Sequence, residues 1–482
     1  MNQFVSRVIR SDTIAAIATA LSDSGIGIIR VSGEMAILIV DKIFCNKNGR
    51  NTLQEQKSHT IRYGYIIDPY RETDSQDWRQ VIVDEVMISV MKAPNSYTRE
   101  DTVEINCHGG VVVMQKILNL VLKSGAKLAK PGEFTKRAFL NGRIDLARAE
   151  AVMDVIQSQS EFALKASVDQ LKGRLSDEVK RLRADILFEI AYIESALDDP
   201  EHISLEGYEE RLTEKIAALL ADVNHLINTS EDGKKAREGI NTCIVGKPNA
   251  GKSSILNRIL GEDRAIVTSV AGTTRDVLQE TVFMDSVNFN LIDTAGIRDT
   301  EDVVEKIGVE KAREYAMKAD LILYVVDASV PLDEDDRKIM SFIHDKKVII
   351  LLNKSDLEAE VSEEVIKSEI GEFDENNFKI VRTSAKENTG ITEFQNTLKE
   401  IFFQGFLKMN NELLITNARH KEALTEARDS LMQVKKSLED HMPEDFYSID
   451  LMSAYDSLGQ IIGEEVGEDL INEIFSRFCM GK

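Results

Sequence analysis

The chain has 482 residues, 43% of them hydrophobic, and a formal net charge of −23. That length exceeds what one hydrophobic core can organise and implies roughly three domains, and the apolar share belongs to a globular chain rather than a disordered one. The acidic balance works against indiscriminate binding to nucleic acid, so an RNA partner needs a local basic patch or delivery by another protein.

No run of about 18 apolar residues marks a membrane span. Residues 1–10 carry Arg7 and Arg10 but no apolar stretch, so no secretory signal is read there. The four cysteines, Cys45, Cys107, Cys243 and Cys479, include no CxxC pair, and the seven histidines show no HxxxH spacing. That argues against a zinc site or a disulfide framework and fits a reducing, cytoplasmic location.

In chain order, residues 1–127 hold short β-rich runs at 27–31, 61–67, 81–91 and 102–107, followed by an apolar helix-like run at 111–122. Turn residues separate them, and the segment reads as an α+β domain. Residues 128–239 are helical in texture: 146–197 contains no proline and one glycine, Gly173. Leu171, Leu175, Val179, Leu182, Ile186, Ile190, Ile193 and Leu197 recur at steps of three and four, which places them on one helical face, and Pro200 is a stop signal. Leu212, Ile216, Leu219, Val223 and Leu226 mark a second helix. The texture returns in 404–482 at Leu424, Ala427, Leu431, Val434 and Leu438. An apolar stripe needs a partner, so one α-helical domain is expected from the two flanks, with 240–403 inserted between them.

Residues 240–403 alternate strands and helices, with strands expected at 242–245, 289–292, 321–326, 348–352 and 380–383. Their near-continuous apolar character suits a parallel sheet covered on both faces. The acidic runs 333–336 and 464–469 read as solvated surface.

Directly after the first of these strands comes Gly246-Lys-Pro-Asn-Ala-Gly-Lys-Ser253, a GxxxxGKS loop between strand and helix. Its glycines let main-chain N–H groups wrap phosphates, Lys252 supplies charge to the outer phosphates, and Ser253 is a magnesium ligand. Asp293-Thr-Ala-Gly296 ends the next strand: Asp293 is placed to hold magnesium through water, and the Gly296 N–H meets a γ-phosphate. Asn353-Lys354-Ser355-Asp356 ends the strand 348–352, and a carboxylate there accepts two hydrogen bonds from the N1–H and N2–H₂ edge of guanine, which adenine lacks. Ser384-Ala385-Lys386 follows the last strand and backs the base with main-chain contacts.

Together these motifs describe a P-loop (Ras-like) GTPase domain. Between them lies Thr268-Ser-Val-Ala-Gly-Thr-Thr-Arg-Asp276, in which Thr273 and Thr274 both offer hydroxyls, with Thr274 taken as the one that joins magnesium. Ile297 follows Gly296, so no glutamine is available there to orient water. Glu305 is the candidate in its place, although on spacing alone it reads as one more surface acid beside Asp299, Glu301 and Asp302. Arg275 and Arg298 read equally as cationic stabilisers or as solvent-exposed side chains.

The chain resembles, end to end, the MnmE/TrmE tRNA-modification GTPases. Besides the nucleotide motifs, the resemblance rests on Asp12-Thr-Ile-Ala, Gly25-Ile-Gly-Ile-Ile-Arg-Val-Ser-Gly33, Pro94-Asn-Ser-Tyr-Thr-Arg-Glu-Asp101, His108-Gly-Gly110, Pro131-Gly-Glu-Phe-Thr-Lys-Arg-Ala-Phe-Leu-Asn141 and the final Phe478-Cys-Met-Gly-Lys482.

The resemblance implies a homodimer that acts with an MnmG (GidA)-type flavoprotein, in a heterotetramer or larger assembly. It implies installation of an aminomethyl or carboxymethylaminomethyl group at carbon 5 of the tRNA wobble uridine. The one-carbon donor is 5-formyl-tetrahydrofolate or a related tetrahydrofolate, bound by an N-terminal α+β folate-binding-like domain through Arg30, Glu104, Arg143 and Lys482. The family often has lysine where Arg143 stands. Asn249, Thr268, Val270 and Thr273 match ligands of an activating potassium ion, Ser253 and Thr274 match the magnesium ligands, and Glu305 matches the water-positioning glutamate. The full set expected to meet GTP is Asn249, Ala250, Gly251, Lys252, Ser253, Ser254, Thr268, Ser269, Val270, Ala271, Gly272, Thr273, Thr274, Asp293, Thr294, Ala295, Gly296, Asn353, Lys354, Asp356, Ser384, Ala385 and Lys386.

Two cysteines invite chemical readings. Cys479 stands fourth from the end, as in a prenylation box, but Gly481 and Lys482 fit that box badly. A thiol near folate, or a Cys107–His108 dyad, stands against plain packing roles for both. A ribosome-assembly GTPase would share the nucleotide motifs, but no basic GxxG segment or aromatic RNP pattern is visible. A nucleotide-dependent scaffold, with incidental hydrolysis, is the third reading.

Overall fold

The computed structural model describes residues 12–71, 78–203, 206–262, 280–284, 287–292, 314–343, 346–371, 377–408, 412–464 and 466–481. Among them, contacts divide the chain into two compact units, one within Met1–Ile156, Gln170–Glu214 and Asp429–Lys482, the other within Gln157–Asp169 and Lys215–Arg428.

The first unit contains a sheet of seven strands, β1 (Ile14–Ile17), β2 (Gly27–Ser32), β3 (Phe44–Cys45), β4 (Thr60–Ile67), β5 (Ile82–Met91), β6 (Thr102–Cys107) and β7 (Lys127–Leu128), in the order β3-β4-β5-β6-β2-β1-β7. The pairs are antiparallel except β1 with β7. The two-residue period of a strand sorts the side chains. Ile29, Val31, Val103 and Ile105 face a core completed by Met114, Ile117 and Val121 of the helix Val111–Lys123. Arg30 and Glu104 fall on the opposite face, directly paired in register. The short strands β1, β3 and β7 offered too little sequence to read.

The helical stretch 146–197 is not one rod. It is divided into Leu146–Gln157, Glu161–Leu171 and Arg174–Asp198, and Gly173 takes φ +97 at the last break. Leu171 therefore leaves the expected stripe and is 36% exposed, and Leu197 is 45% exposed while Ala196 takes the buried position. From Leu175 to Ile193 the stripe is buried as its spacing requires. It packs against the helix Glu444–Ile462, whose buried face carries Tyr447, Leu451, Ala454 and Leu458. The flanks of the chain thus share a core across a long sequence gap. Arg183 ties them further: it pairs with Glu464, donates to the Tyr455 carbonyl (3.2 Å) and lies 3.8 Å from the Tyr455 ring centre.

The second unit holds β8 (Ile240–Val245), β9 (Glu280–Met284), β10 (Val287–Ile292), β11 (Leu321–Asp327), β12 (Val348–Asn353) and β13 (Phe378–Arg382), in the order β13-β12-β11-β8-β10-β9. All pairs are parallel except β9 with β10. Every residue of β11 and β12 is buried, with one apolar cluster on each face of the sheet. The chain leaves β8 for β10 on one side and returns to β11 on the other, so a topological switch point opens at the carboxyl end of β8. In open parallel sheets that is where ligands bind.

Candidate functional sites

The GxxxxGKS loop sits at this switch point, between β8 and the helix Lys252–Glu262. Gly246 (φ +149), Asn249 (φ +61) and Gly251 (φ +96) give the loop its reversed curvature. Two of these positions also need glycine for space. A Cβ on Gly246 would run into the Val325 carbonyl, and one on Gly251 into the side-chain amide of Asn353. The loop runs straight into the N-terminus of the helix Lys252–Glu262, whose free N–H groups and positive dipole favour an anion.

The Lys252 ammonium donates to the carbonyls of Gly246 (2.8 Å) and Lys247 (2.7 Å), and burial lowers its pKa. Lys247 anchors the loop from the other side through ion pairs with Asp333 (2.8 Å) and Asp336 (2.6 Å). Burial alone would lower the pKa of this lysine, but the two carboxylates outweigh it and raise the value. Asp336 is 1% exposed and also accepts the Tyr324 hydroxyl at 2.8 Å. The acidic run 333–336, expected as solvated surface, is therefore partly an internal clamp on the phosphate loop. Asp333 accepts from the Asp336 N–H at 3.2 Å and Asp336 from the Asp333 N–H at 3.0 Å, so the same two carboxylates cap the helix Glu334–Ile343.

Asn353, at the end of β12, joins the GxxxxGKS loop to the segment Ser384–Lys386. It is 2% exposed, its Nδ2 donates to the Ala250 carbonyl (2.8 Å), and its Oδ1 accepts the Ala385 N–H (3.2 Å). Next to it, Asp356 accepts the Ser384 hydroxyl at 2.6 Å, which with Lys386 holds its carboxyl below the usual carboxylate range. Lys354, at φ +63, pairs with Asp327 at 2.5 Å. Arg258, which sequence reasoning did not single out, reaches from the helix Lys252–Glu262 to donate Nε to the Ala385 carbonyl at 2.8 Å. Its only sequence signal is its position six residues after Lys252.

Ser253 and Ser254 lie in the first turn of that helix. Thr268, Ser269, Val270, Ala271, Gly272, Thr273, Thr274, Asp293, Thr294, Ala295, Gly296 and Glu305 lie outside the described residues, as do Arg275, Arg298 and Lys482.

A second cluster belongs to the first unit. Arg30 donates Nε to Glu104 at 2.9 Å across β2 and β6, and its Nη1 donates to the Gly481 carbonyl at 3.0 Å. The segment before Lys482 is thus docked beside Arg30. Gly481 (φ +83) lies so close to β1 that a Cβ would stand 2.5 Å from the Ile17 carbonyl. The Tyr97 ring lies 5.6 Å from the Arg30 guanidinium and 4.7 Å from that of Arg143.

The Cys107–His108 dyad does not form. The Cys107 thiol donates to the Gly27 carbonyl (3.3 Å), and burial pushes its pKa up to about 11. His108 Nδ1 instead meets Asp84 at 2.6 Å, which raises the imidazole pKa. Cys107 is the last residue of β6 and is buried, whereas His108 lies beyond the strand and is exposed, so the two side chains have different partners. Cys479 is exposed, and its carbonyl accepts the Gly132 N–H at 3.4 Å.

With this geometry in hand, the relatives are informative. The chain matches the family described as MnmE helical domain over residues 146–479 and that described as GTP-binding protein TrmE N-terminus over 13–143. It is 55% identical over 473 residues to the tRNA modification GTPase MnmE of Lachnoclostridium phytofermentans, covering 98% of this chain and 100% of that protein. It is 46% identical to the protein of that name from Alkaliphilus oremlandii and 47% to that from Clostridioides difficile, each over 471 residues, 98% of this chain and 99% of theirs. The chain belongs to the MnmE family of tRNA modification GTPases.

Replacing Asn353 by alanine removes two buried hydrogen bonds and strands the Ala250 carbonyl and the Ala385 N–H. Each orphaned group costs about 1–3 kcal/mol. Asn353→Ala is expected to lower the unfolding free energy of the sheet β8–β13 by about 2–4 kcal/mol, measured by urea unfolding without nucleotide.

Proposed function

We propose that this chain hydrolyses GTP in the modification of carbon 5 of the tRNA wobble uridine. The observation that carries the reading is the coupling of the phosphate loop, Asp356 and the segment Ser384–Lys386 at the carboxyl ends of neighbouring parallel strands, through one buried amide, Asn353. Full-length likeness to proteins named as tRNA modification GTPases supports the substrate class.

In this reading residues 1–127 form the folate and dimerisation domain, 128–239 and 404–482 the helical domain, and 240–403 the GTPase domain. The amides of Asn249, Ala250, Gly251, Lys252, Ser253 and Ser254 bind phosphate oxygens, and the Lys252 ammonium moves from its two loop carbonyls to the outer phosphates. Asp356 reads the guanine edge, already ionised and oriented by Ser384. Glu305 orients the attacking water.

The residues suit the two cations that the family uses. The Gly251 position leaves no room for a Cβ, and Asn249 stands in a left-handed turn of the same loop, where its carboxamide is an oxygen donor of the kind a monovalent cation takes. Ser253 and Thr274 would hold magnesium, and Asn249, Thr268, Val270 and Thr273 potassium. Bound there, the cations supply positive charge against the charge that develops on the transferred phosphoryl group.

The Arg30–Glu104 pair also suits a folate. Side by side it offers a donor fork and an acceptor, which complement an aminopyrimidinone edge, and Tyr97 offers a stacking surface. Arg30, Glu104, Arg143 and Lys482 would hold that one-carbon donor. The chain acts as a homodimer with an MnmG-type flavoprotein and tRNA, in the cytoplasm.

Mass spectrometry of tRNA from cells lacking the protein tests the whole reading. Aminomethyl-type wobble uridines should vanish, and an unchanged nucleoside profile would overturn it. Asp356→Asn should lower GTP affinity about 100-fold or more, since two charge-assisted hydrogen bonds are worth about 1.5–3 kcal/mol each. Preference should move to xanthosine triphosphate, and unaltered selectivity in nucleotide titrations would remove Asp356 from base reading. Exchange of potassium for sodium should slow GTP turnover by about tenfold or more, equivalent to about 1.4 kcal/mol of barrier. Equal rates in the two salts would exclude the potassium ligands.

A further inference from the structure

An open cleft of about 710 Å³ lies beside Tyr97, lined by Arg99, Arg143, His59, Asn95 and Ser96 among others, with no carboxylate in its lining. That is unusual on a chain with 82 acidic and 59 basic residues. Several other arginines of this unit are matched, among them Arg30 with Glu104, Arg137 with Glu100 and Glu133, Arg148 with Asp145 and Arg183 with Glu464. Arg99 and Arg143 have no carboxylate partner among the described residues.

The two are also neighbours. Arg99 Nη1 donates to the Asn141 carbonyl at 2.9 Å and lies 3.6 Å from where a Cβ on Gly142 would sit, immediately before Arg143. Like charges held side by side without a counter-ion repel each other, and an anion placed between them relieves that repulsion.

We propose that this cleft binds the γ-glutamyl tail of a folylpolyglutamate, and that Arg99 is a ligand-contacting residue of the site. The inference rests on the folate reading of Arg30 and Glu104. Tyr97 makes the two regions continuous, with the Arg30 guanidinium 5.6 Å and the Arg143 guanidinium 4.7 Å from its ring centre. A heterocycle at the Arg30–Glu104 pair therefore sends its carboxylate end past Tyr97 towards two unmatched guanidiniums. Each added γ-glutamyl residue brings one more carboxylate on a flexible backbone, which suits several separated cations. Asn95 and Ser96 offer polar partners for the peptide groups of the tail.

Calorimetric titration of the full chain with the mono- and pentaglutamate forms of 5-formyl-tetrahydrofolate tests this. The pentaglutamate should bind roughly tenfold more tightly, as expected for two exposed ion pairs of up to about 1 kcal/mol each. The gain should shrink as salt is raised. Arg99→Gln should abolish the gain, and Arg99→Lys, which keeps the charge, should retain most of it and so guard against a folding defect. Equal affinities for the two forms would overturn the tail site while leaving the folate reading intact. No binding of either form would overturn both. Weakened tRNA binding by Arg99→Gln, with the pentaglutamate gain unchanged, would reassign the cleft to nucleic-acid phosphate and overturn the proposal.

Discussion

The nucleotide half of this protein depends on a close approach of backbone to backbone. Gly246 and Gly251 press the phosphate loop against β11 and the end of β12 so tightly that neither position admits a Cβ. Only then can the single side chain of Asn353 span Ala250 and Ala385. One carboxamide has one acceptor and one donor group, and both are used across the gap. The GxxxxGKS loop and the segment Ser384–Lys386 are thereby one mechanical object. Arg258 and the Lys247 clamp secure the same object from two further directions.

The first unit solves a different problem with similar means. Its sheet buries one face on helices and leaves the other to carry the cross-strand pair Arg30–Glu104. An arginine on an open sheet face has many conformations, and ordering it costs entropy. Here Glu104, the Gly481 carbonyl, Tyr97 and Phe134 hold it from four sides. The guanidinium is thus set in place by chain segments far apart in sequence.

Much of this was legible in the sequence, and the parts that were not share a cause. The buried parallel strands announced themselves because β11 and β12 are near-continuously apolar up to their last residues, Asp327 and Asn353, and the GxxxxGKS loop because its glycines are needed at fixed offsets. The stripe from Leu175 to Ile193 was legible, but its ends were not: Gly173 was visible as a residue, not as a left-handed break that turns Leu171 outward. Residues 333–335 are exposed, as their charge suggests, but Asp336 is buried, since a carboxylate looks solvated in sequence whether or not a lysine arrives from elsewhere in the chain. Arg99 and Arg258 were missed for the converse reason. Their meaning lies in partners present or lacking across space, which no periodicity records. β1, β3 and β7, at two to four residues each, carry too little pattern to stand out from loops.

The hydrogen bond from Arg30 to the Gly481 carbonyl spans 451 positions. Contacts that distant are the slowest to close, because the entropy of the intervening chain must be surrendered first. During synthesis the ribosome releases residue 30 long before residue 481 exists, so Arg30 waits for one of its partners. A prematurely terminated polypeptide could fold most of its first sheet and its entire nucleotide unit, yet would leave this arginine half-dressed. The Arg30 guanidinium is therefore a late-finished part of the fold: it gains its Gly481 partner only after a segment 451 positions downstream has been made and has docked.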